Sequence, residues 1–343
     1  MWLKLFVKLG LKVTFLGDNF YKHEPYTTVL NQLGIEVLYG NFYYENWKEW
    51  LKENLHYFDY IYLQRPHISI KYIDIVKKFA NGKVFYFAHD LHFLRLTREY
   101  ELTRDKKIKL QAEDIKKKEC YLFEQADVVH VVGSYEQKLL SDMYPEKPIR
   151  NIPLYIYETL PSDIQKDFSQ RKDLIFVGGF GHPPNTDAVL WFAKDVYPKI
   201  RKKYPDIKWH IVGGKVPEEI IKLQSEHIIV HGFVSDENLE RLYRECRLAV
   251  VPLRYGAGVK GKVIEAAYYQ IPLVTTTIGG EGIPHENCFA IEDDAERMAE
   301  LIIELYNDFG KLEAMSESGK YLIQNNYTLD AARNVFLQDI ERK

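Results

Sequence analysis

The chain has little of what would mark it as secreted, metal-bound or membrane-spanning. Its 343 residues hold three cysteines, Cys120, Cys246 and Cys288. That odd, scattered set gives neither a disulfide framework nor the paired spacing of a zinc site, so a reducing, cytoplasmic setting is expected. No uninterrupted apolar run reaches about 18 residues, which predicts no spanning helix. An excess of one charge is missing too: 46 Lys and Arg stand against 49 Asp and Glu. A nucleic-acid surface would be more basic, and none is expected. The densest basic segment, Lys106 to Lys118, is broken by Glu113 and Asp114. It reads as a solvated helix face, with peripheral contact to the inner face of an anionic membrane as its one other use.

What is present is an alternation. Short apolar strands separate helical segments throughout, which predicts parallel sheets and an α/β class. The length allows two domains, each with its own core. In the first half the pattern predicts strands over 12–16, 36–38, 60–63, 83–87 and 128–132. Helices are expected over 2–9, 26–33, 47–54, 70–79, 104–124 and 135–143. Trp2, Leu5, Phe6 and Leu9 share one face of the first helix, and Lys4, Lys8 and Lys12 interrupt the run too often for a signal peptide. Ser134 with Gln137 has the form of a capping box.

A connector over 150–172, with Pro153 and Pro161, leads into a second alternation. Strands are expected over 174–177, 209–212, 228–230, 248–251, 273–276 and 289–291. Helices are expected over 188–204, 238–245, 262–269 and 296–307. Ser235 sits as an N-cap, and Thr328 caps a terminal helix over 329–343. The expected domains are 1–155, with segment 328–343 packing back on it, and 156–327. Two doubly wound, Rossmann-like sheets facing across a cleft follow, with ligands at the C-terminal strand ends.

The stretch VPLRYGAGVKGKVIEAAYYQIP, from Val251 to Pro272, concentrates the chemistry. A buried strand runs into Gly256-Ala257-Gly258, then Lys260 and Lys262, then a helix with Glu265 in its first turns. Open backbone N–H groups beside a helix N-terminus suit phosphate oxygens. Lysines add charge for a diphosphate, and a carboxylate can accept from ribose hydroxyls. The alternatives are an ordinary turn, a solvated Lys260, and a Glu265 held by the helix dipole.

Gly178, Gly179 and Gly181 follow the strand of FVGGFG in the same way, either cradling phosphate or making a tight turn. Gly280, Glu281, Gly282 and Ile283 form a further candidate anion nest, with Glu281 meeting a sugar hydroxyl or solvent. In the first half, the strand ending at Phe87 leads into Ala88-His89-Asp90-Leu91-His92, with Arg95 and Arg98 beyond. A second strand end carries Gln64, Arg65 and His67. His89 is the candidate catalytic group, and Asp90, Arg65 and Arg95 are candidate acceptor or cleft residues. HDLH lacks a third ligand at diagnostic spacing, so no metal is expected.

With these residues in view, the chain resembles the glycosyltransferase group 1 family, retaining nucleotide-sugar transferases of GT-B fold. FVGGFGHPPNTDAV, HGFVSDENLERLYRECRLAVVPL, GAGVKGKVIEAAYYQIPLVTT and GGEGI carry the resemblance in the second half. YFAHDLHFLR and ADVVHVVGSYEQKLL resemble surface-polysaccharide members. The resemblance implies a donor nucleotide diphosphate sugar as substrate and no cofactor or metal. It gives Glu265 the ribose, Lys262 or Lys260 the diphosphate, and His89 the donor sugar. Gly178, Gly179, Gly181, Gly258, Val234 and the Gly280–Ile283 loop would line the donor site. The expected function is transfer of a sugar, with retention, to a glycan or lipid-linked acceptor.

Three departures stand beside the resemblance. Ala257 occupies the position eight before Glu265 where many members have a second glutamate. The loop GGFGHPPN lacks the Arg and Lys that often follow the first strand of the second domain. The first domain is expected to lack its first strand and glycine loop. A non-catalytic GT-B module that binds glycan or a partner transferase is the alternative. A nucleotide-sugar epimerase is a second, although the extra carboxylates it needs are not evident.

Overall fold

A computed structural model describes residues 2–161, 164, 167–284 and 287–340. The chain folds into two compact units. One comprises Met1–Phe93, Lys109–Ile156 and Leu329–Lys343, and the other Leu94–Ile108 and Tyr157–Thr328. Leu94–Ile108, inside the stretch expected to belong to the first domain, therefore packs with the second unit. Of the expected terminal helix, Leu329–Phe336 is helical, and 341–343 lie outside the described residues.

The first unit holds two parallel sheets. Strands β1 (Thr14–Leu16) and β2 (Glu36–Leu38) pair with each other. Strands β3 (Tyr60–Gln64), β4 (Lys83–Phe87), β5 (Val128–Val131) and β6 (Ile149–Asn151) follow in that order in the second sheet. Four residues of β4 and all of β5 are buried, as continuous apolar strands covered on both faces should be. The Trp2–Lys8 helix uses its predicted face: Leu5 and Phe6 pack with Ile156, Ala332 and Phe336, and Trp2 and Leu9 flank them. Strand β6 follows Pro148 and is three residues long, too short to show a period, and it lies partly in the expected connector. The expected capping box is corrected. Gly133 occupies the N-cap position, and Gln137 Nε2 instead donates to the Ile149 carbonyl of β6 at 3.1 Å.

Between these layers lies a buried histidine. His130 accepts or donates a hydrogen bond with Tyr62 Oη at 3.0 Å and is ringed by Phe85 and Phe336. It has no exposed surface, and burial, reinforced by Arg150, pushes its pKa down to about 3. The unfolded chain takes up this proton near pH 6.5 and the folded chain does not. Stability is therefore full above about pH 6.5 and falls as the pH drops toward 3. At 1.36 kcal/mol per pKa unit, His130 should cost about 3 kcal/mol by pH 4. Thermal melts between pH 7 and 4 should show this slope, and the double substitution Tyr62→Phe, His130→Phe should flatten it.

The second unit is built on one six-stranded parallel sheet of order β12-β11-β10-β7-β8-β9. Its strands are β7 (Lys172–Val177), β8 (Trp209–Val212), β9 (Ile228–Gly232), β10 (Cys246–Val251), β11 (Leu273–Thr275) and β12 (Ala290–Ile291). Ser235 caps as expected, its side chain accepting from Asn238 N. The helix expected over 188–204 is broken: Pro183–Trp191, one π turn over Phe192–Val196, then Tyr197–Lys203. Pro198 has no N–H to continue the ladder, which accounts for the wide turn. A helix not expected from the pattern, Phe309–Asn326, lies against the Gly261–Tyr268 helix. Ser316 donates to the Gln270 carbonyl at 2.9 Å, and a Cβ on Gly319 would stand 3.5 Å from Ala267 Cα. Small residues that weaken the helical signal are the ones that permit this close approach.

Candidate donor site

The sheet order decides where a ligand belongs in the second unit. From the adjacent strands β7 and β10 the chain winds outward in opposite directions, so their C-terminal ends form a topological switch point. Both glycine loops singled out in the sequence stand there: Gly178–Gly181 after β7, and Gly256–Gly258 between β10 and the Gly261–Tyr268 helix.

Lys262 joins the two loops. Its ammonium meets Asn185 Oδ1 and lies 4.8 Å from the centre of the Phe176 ring. Asn185 Nδ2 in turn donates to the Gly179 carbonyl at 2.7 Å. A Cβ on Gly178 would fall 2.7 Å from Lys262 Nζ and 2.9 Å from Asn185 Nδ2, so a side chain there would push this pair aside. Burial, with help from neighbouring Lys260, lowers the Lys262 pKa to about 7. A cation so poorly compensated in the resting site is one that an arriving anion would stabilise.

Lys260 is not solvated, contrary to one of its two readings. It is 8% exposed and its ammonium lies on the Gly258 carbonyl, which positive φ at Gly258 (+70°) turns toward it. Glu265, one turn into the helix, accepts from Tyr243 Oη at 2.9 Å, and burial raises its pKa. Tyr243 comes from the Asp236–Glu245 helix and gave no local signal in the sequence.

Beside this group a hollow of about 560 Å³ is lined by Gly179, Gly181, His182, Asn185, Gly214 and Lys215. That is within the usual size of a small-molecule site, roughly 300–1,000 Å³. Lys215 was missed, although Gly213-Gly214-Lys215 follows β8 as Gly178-Gly179 follows β7. Val234 is partly buried beyond β9, next to Phe233, which is 85% exposed and whose Cβ would stand 3.8 Å from a Cβ on Gly214.

The Gly280–Ile283 turn differs from expectation. Thr277–Gly280 is a short helix capped by Thr276, and the N–H groups of Gly280 and Ile283 are spent on the carbonyls of Thr276 and Gly280. Glu281 is mostly buried and paired rather than simply solvated. Both its oxygens accept from Arg98, at 2.7 Å each.

In the first unit, the strand-end residues form their own group. His89 follows β4, its ring 3.9 Å from that of Phe87, and its Nε2 lies 3.1 Å from Gln64 Oε1 at the end of β3. With that oxygen as acceptor, Nε2 carries the proton and Nδ1 is the basic nitrogen. Burial, with Arg65 second, lowers its pKa to about 4, so the ring is neutral at pH 7. Arg65 is exposed at the N-cap of the Pro66–Phe79 helix, with φ +67°. Asp90 lies 3.7 Å from His92 Nε2. The turn itself is held by two buried carboxylates that the sequence reading passed over. Glu119 accepts from the N–H groups of His92 and Phe93, at 3.0 and 2.9 Å, and Glu136 accepts from Leu91 N at 3.1 Å. Arg95, expected with this group, lies on the stretch that packs with the second unit. Among the described residues no group of three or more His, Cys, Asp and Glu side chains could hold a metal ion.

Residues 171–308, which contain β7 to β12 and both glycine loops, match the family model of the glycosyl transferases, group 1. Over those residues the second unit is similar to the group 1 glycosyltransferases. A relative from Klebsiella pneumoniae, an uncharacterized 44.6 kDa protein in the cps region, is 29% identical over 185 residues. That match covers 51% of this chain and 48% of the relative, so the chain spans about half the length of the curated relative it matches.

Solved glycosyltransferase structures extend the likeness to the whole fold. Sucrose-phosphate synthase from Thermosynechococcus elongatus superposes with a TM-score of 0.72 at 16% identity, covering 98% of this chain and 90% of that one. HepE from Anabaena, in complex with UDP and glucose, gives 0.68 at 13%, covering 99% and 95%. TarM from S. aureus gives 0.66 at 16%, covering 85% and 57%. The chain thus has the GT-B fold of these structures. Among the described residues no helix is long and apolar enough to cross a membrane.

Proposed function

We propose that the chain is a group 1 glycosyltransferase that moves a sugar, with retention of configuration, from a nucleoside diphosphate sugar to a glycan or lipid-linked acceptor. Lys262 carries the argument: a cation with its pKa lowered to about 7 stands between two glycine loops at the switch point. The donor's nucleoside occupies the hollow over Gly179, Gly181, Gly214 and Lys215, with Val234 and Phe233 beside it. Its ribose hydroxyls meet Glu265. Its diphosphate meets Lys262 and Lys260, together with the backbone of Gly178, Gly179 and Gly258. These lysines supply the positive charge for the departing diphosphate, and the reading needs neither metal nor cofactor.

The family resemblance assigns His89 to the donor sugar. As a neutral ring with a fixed tautomer, it can accept a hydroxyl hydrogen bond at Nδ1. Asp90, Arg65 and Arg95 are assigned to the acceptor. The cps-region relative points to surface polysaccharide as the product, and a lipid-linked acceptor would place the enzyme peripherally on the cytoplasmic face of the membrane. Exposed Lys106, Lys107, Lys109, Lys116 and Lys117 suit that surface.

UDP-glucose is the first donor to try, since the HepE structure holds UDP and glucose. Proton NMR should show slow hydrolysis without acceptor, with α-glucose appearing before mutarotation. Release of the β-anomer would overturn the retaining assignment, and epimerised donor would identify an epimerase. An inert chain toward UDP-, GDP- and ADP-sugars would favour the non-catalytic module.

A further inference from the structure

The donor-site loops of the second unit are tied together by a residue from a distant part of the chain. Arg98 lies on the His92–Thr103 helix, within the stretch that packs with this unit. Its Nη1 donates to the Gly256 carbonyl at 2.8 Å and to Glu281 Oε2 at 2.7 Å, and its Nη2 donates to Glu281 Oε1 at 2.7 Å. One guanidinium thus fixes the Gly256–Gly258 loop after β10 and the Glu281 turn after β11. The two side chains are 15% and 10% exposed. Burying an ion pair this far gains little net stability, so its use is to specify geometry. The bidentate fork with a third bond is one that arginine makes and lysine cannot.

What it specifies is close at hand. Gly256 has φ +154°, and a Cβ there would meet Lys260 Cε at 3.2 Å. The carbonyl of Gly258 holds the Lys260 ammonium. The turn below Glu281 has no slack either. A Cβ on Gly279 would overlap Thr275 Oγ1 at 1.9 Å, and one on Gly280 would meet Phe289 at 2.6 Å. The Glu281 end of the clamp is therefore rigid, and the glycine loop is the part it restrains.

We infer that Arg98 is a positioning residue for the diphosphate: anchored on Glu281, it holds the Gly256–Gly258 loop in the form that presents Lys260 and Lys262. This rests on the donor-site reading above, and the experiment separates the two. Calorimetry with UDP and UMP on the full chain comes first. Tighter binding of UDP than of UMP establishes the donor site, and failure to bind UDP removes that reading before Arg98 is tested.

In Arg98→Gln the preference for UDP over UMP should fall about tenfold while UMP affinity changes little. Arg98→Lys should not restore it. Glu281→Gln should give a similar loss, and the double substitution should be no worse than Arg98→Gln alone, because both act on one loop. A merely structural role would weaken UDP and UMP together and lower the melting temperature without changing their ratio. An unchanged ratio in folded Arg98→Gln, or in Glu281→Gln if the arginine variant does not fold, overturns the inference.

Discussion

Lys262→Met should weaken donor binding about a hundredfold while leaving the chain folded. The methionine keeps the length of the side chain against Phe176 and removes the charge, so the unliganded melting temperature should change little or rise, since a buried cation is lost. UDP affinity should fall by a factor of about 100, the worth of a charge-assisted contact to a diphosphate in a water-poor site, about 3 kcal/mol. The pH dependence follows from the same residue. With its pKa at about 7, Lys262 is largely charged below that value and largely neutral above it. Binding a diphosphate favours the charged form, so UDP affinity should decline as the pH rises from 7 to 8.5. Binding should also take up a proton, seen as a buffer-dependent calorimetric enthalpy. Lys262→Met should show neither effect.

Gly213→Ala should be the most destructive single methyl in the second unit. The added Cβ would lie 2.1 Å from the Gly178 carbonyl oxygen and 2.7 Å from its carbon. Neither backbone can yield easily, because Gly178 N donates to the Val212 carbonyl at 2.8 Å and Gly213 N to the Gly232 carbonyl at 2.9 Å. The expected loss is about 3 kcal/mol or more, at the upper end of overpacking effects. For a domain of this size that is a fall in melting temperature of roughly 6–12 °C. Gly179→Ala is the control, since a Cβ there meets nothing within 4 Å. It should be nearly neutral for folding.

The alternation of strands and helices was legible because parallel strands buried on both faces leave continuous apolar runs, as in Leu248–Val251, all four residues of which are buried. Lys262, Glu265 and the glycine loops were legible because the switch point gathers them from short, adjacent segments. Contacts across long sequence separations were not. Tyr243 and Glu265 are 22 residues apart, Lys262 and Asn185 are 77 apart, and Arg98 and Glu281 are 183 apart. No local pattern joins such pairs. Arg98 in particular read as one of two charges trailing a histidine motif, and only its partners give it a role. Glu119 and Glu136 were hidden for a related reason: a glutamate in a helix reads as solvated until the backbone N–H groups it caps are known. The Phe309–Asn326 helix was lost to its own packing, since Ser316 and Gly319 serve a close helix contact at the expense of helical propensity.

The measurement that bears most directly on the donor site is a thermal-shift series with UDP, GDP and ADP on the intact chain and on Glu265→Ala. A ligand that binds the folded state raises its apparent stability. One nucleotide, expected to be UDP, should raise the melting temperature of the intact chain, and Glu265→Ala should lose that shift while melting as a folded protein. A folded chain that none of the three nucleotides stabilises, or a Glu265→Ala variant that responds as fully as the intact chain, would contradict the assignment of this switch point as the donor site.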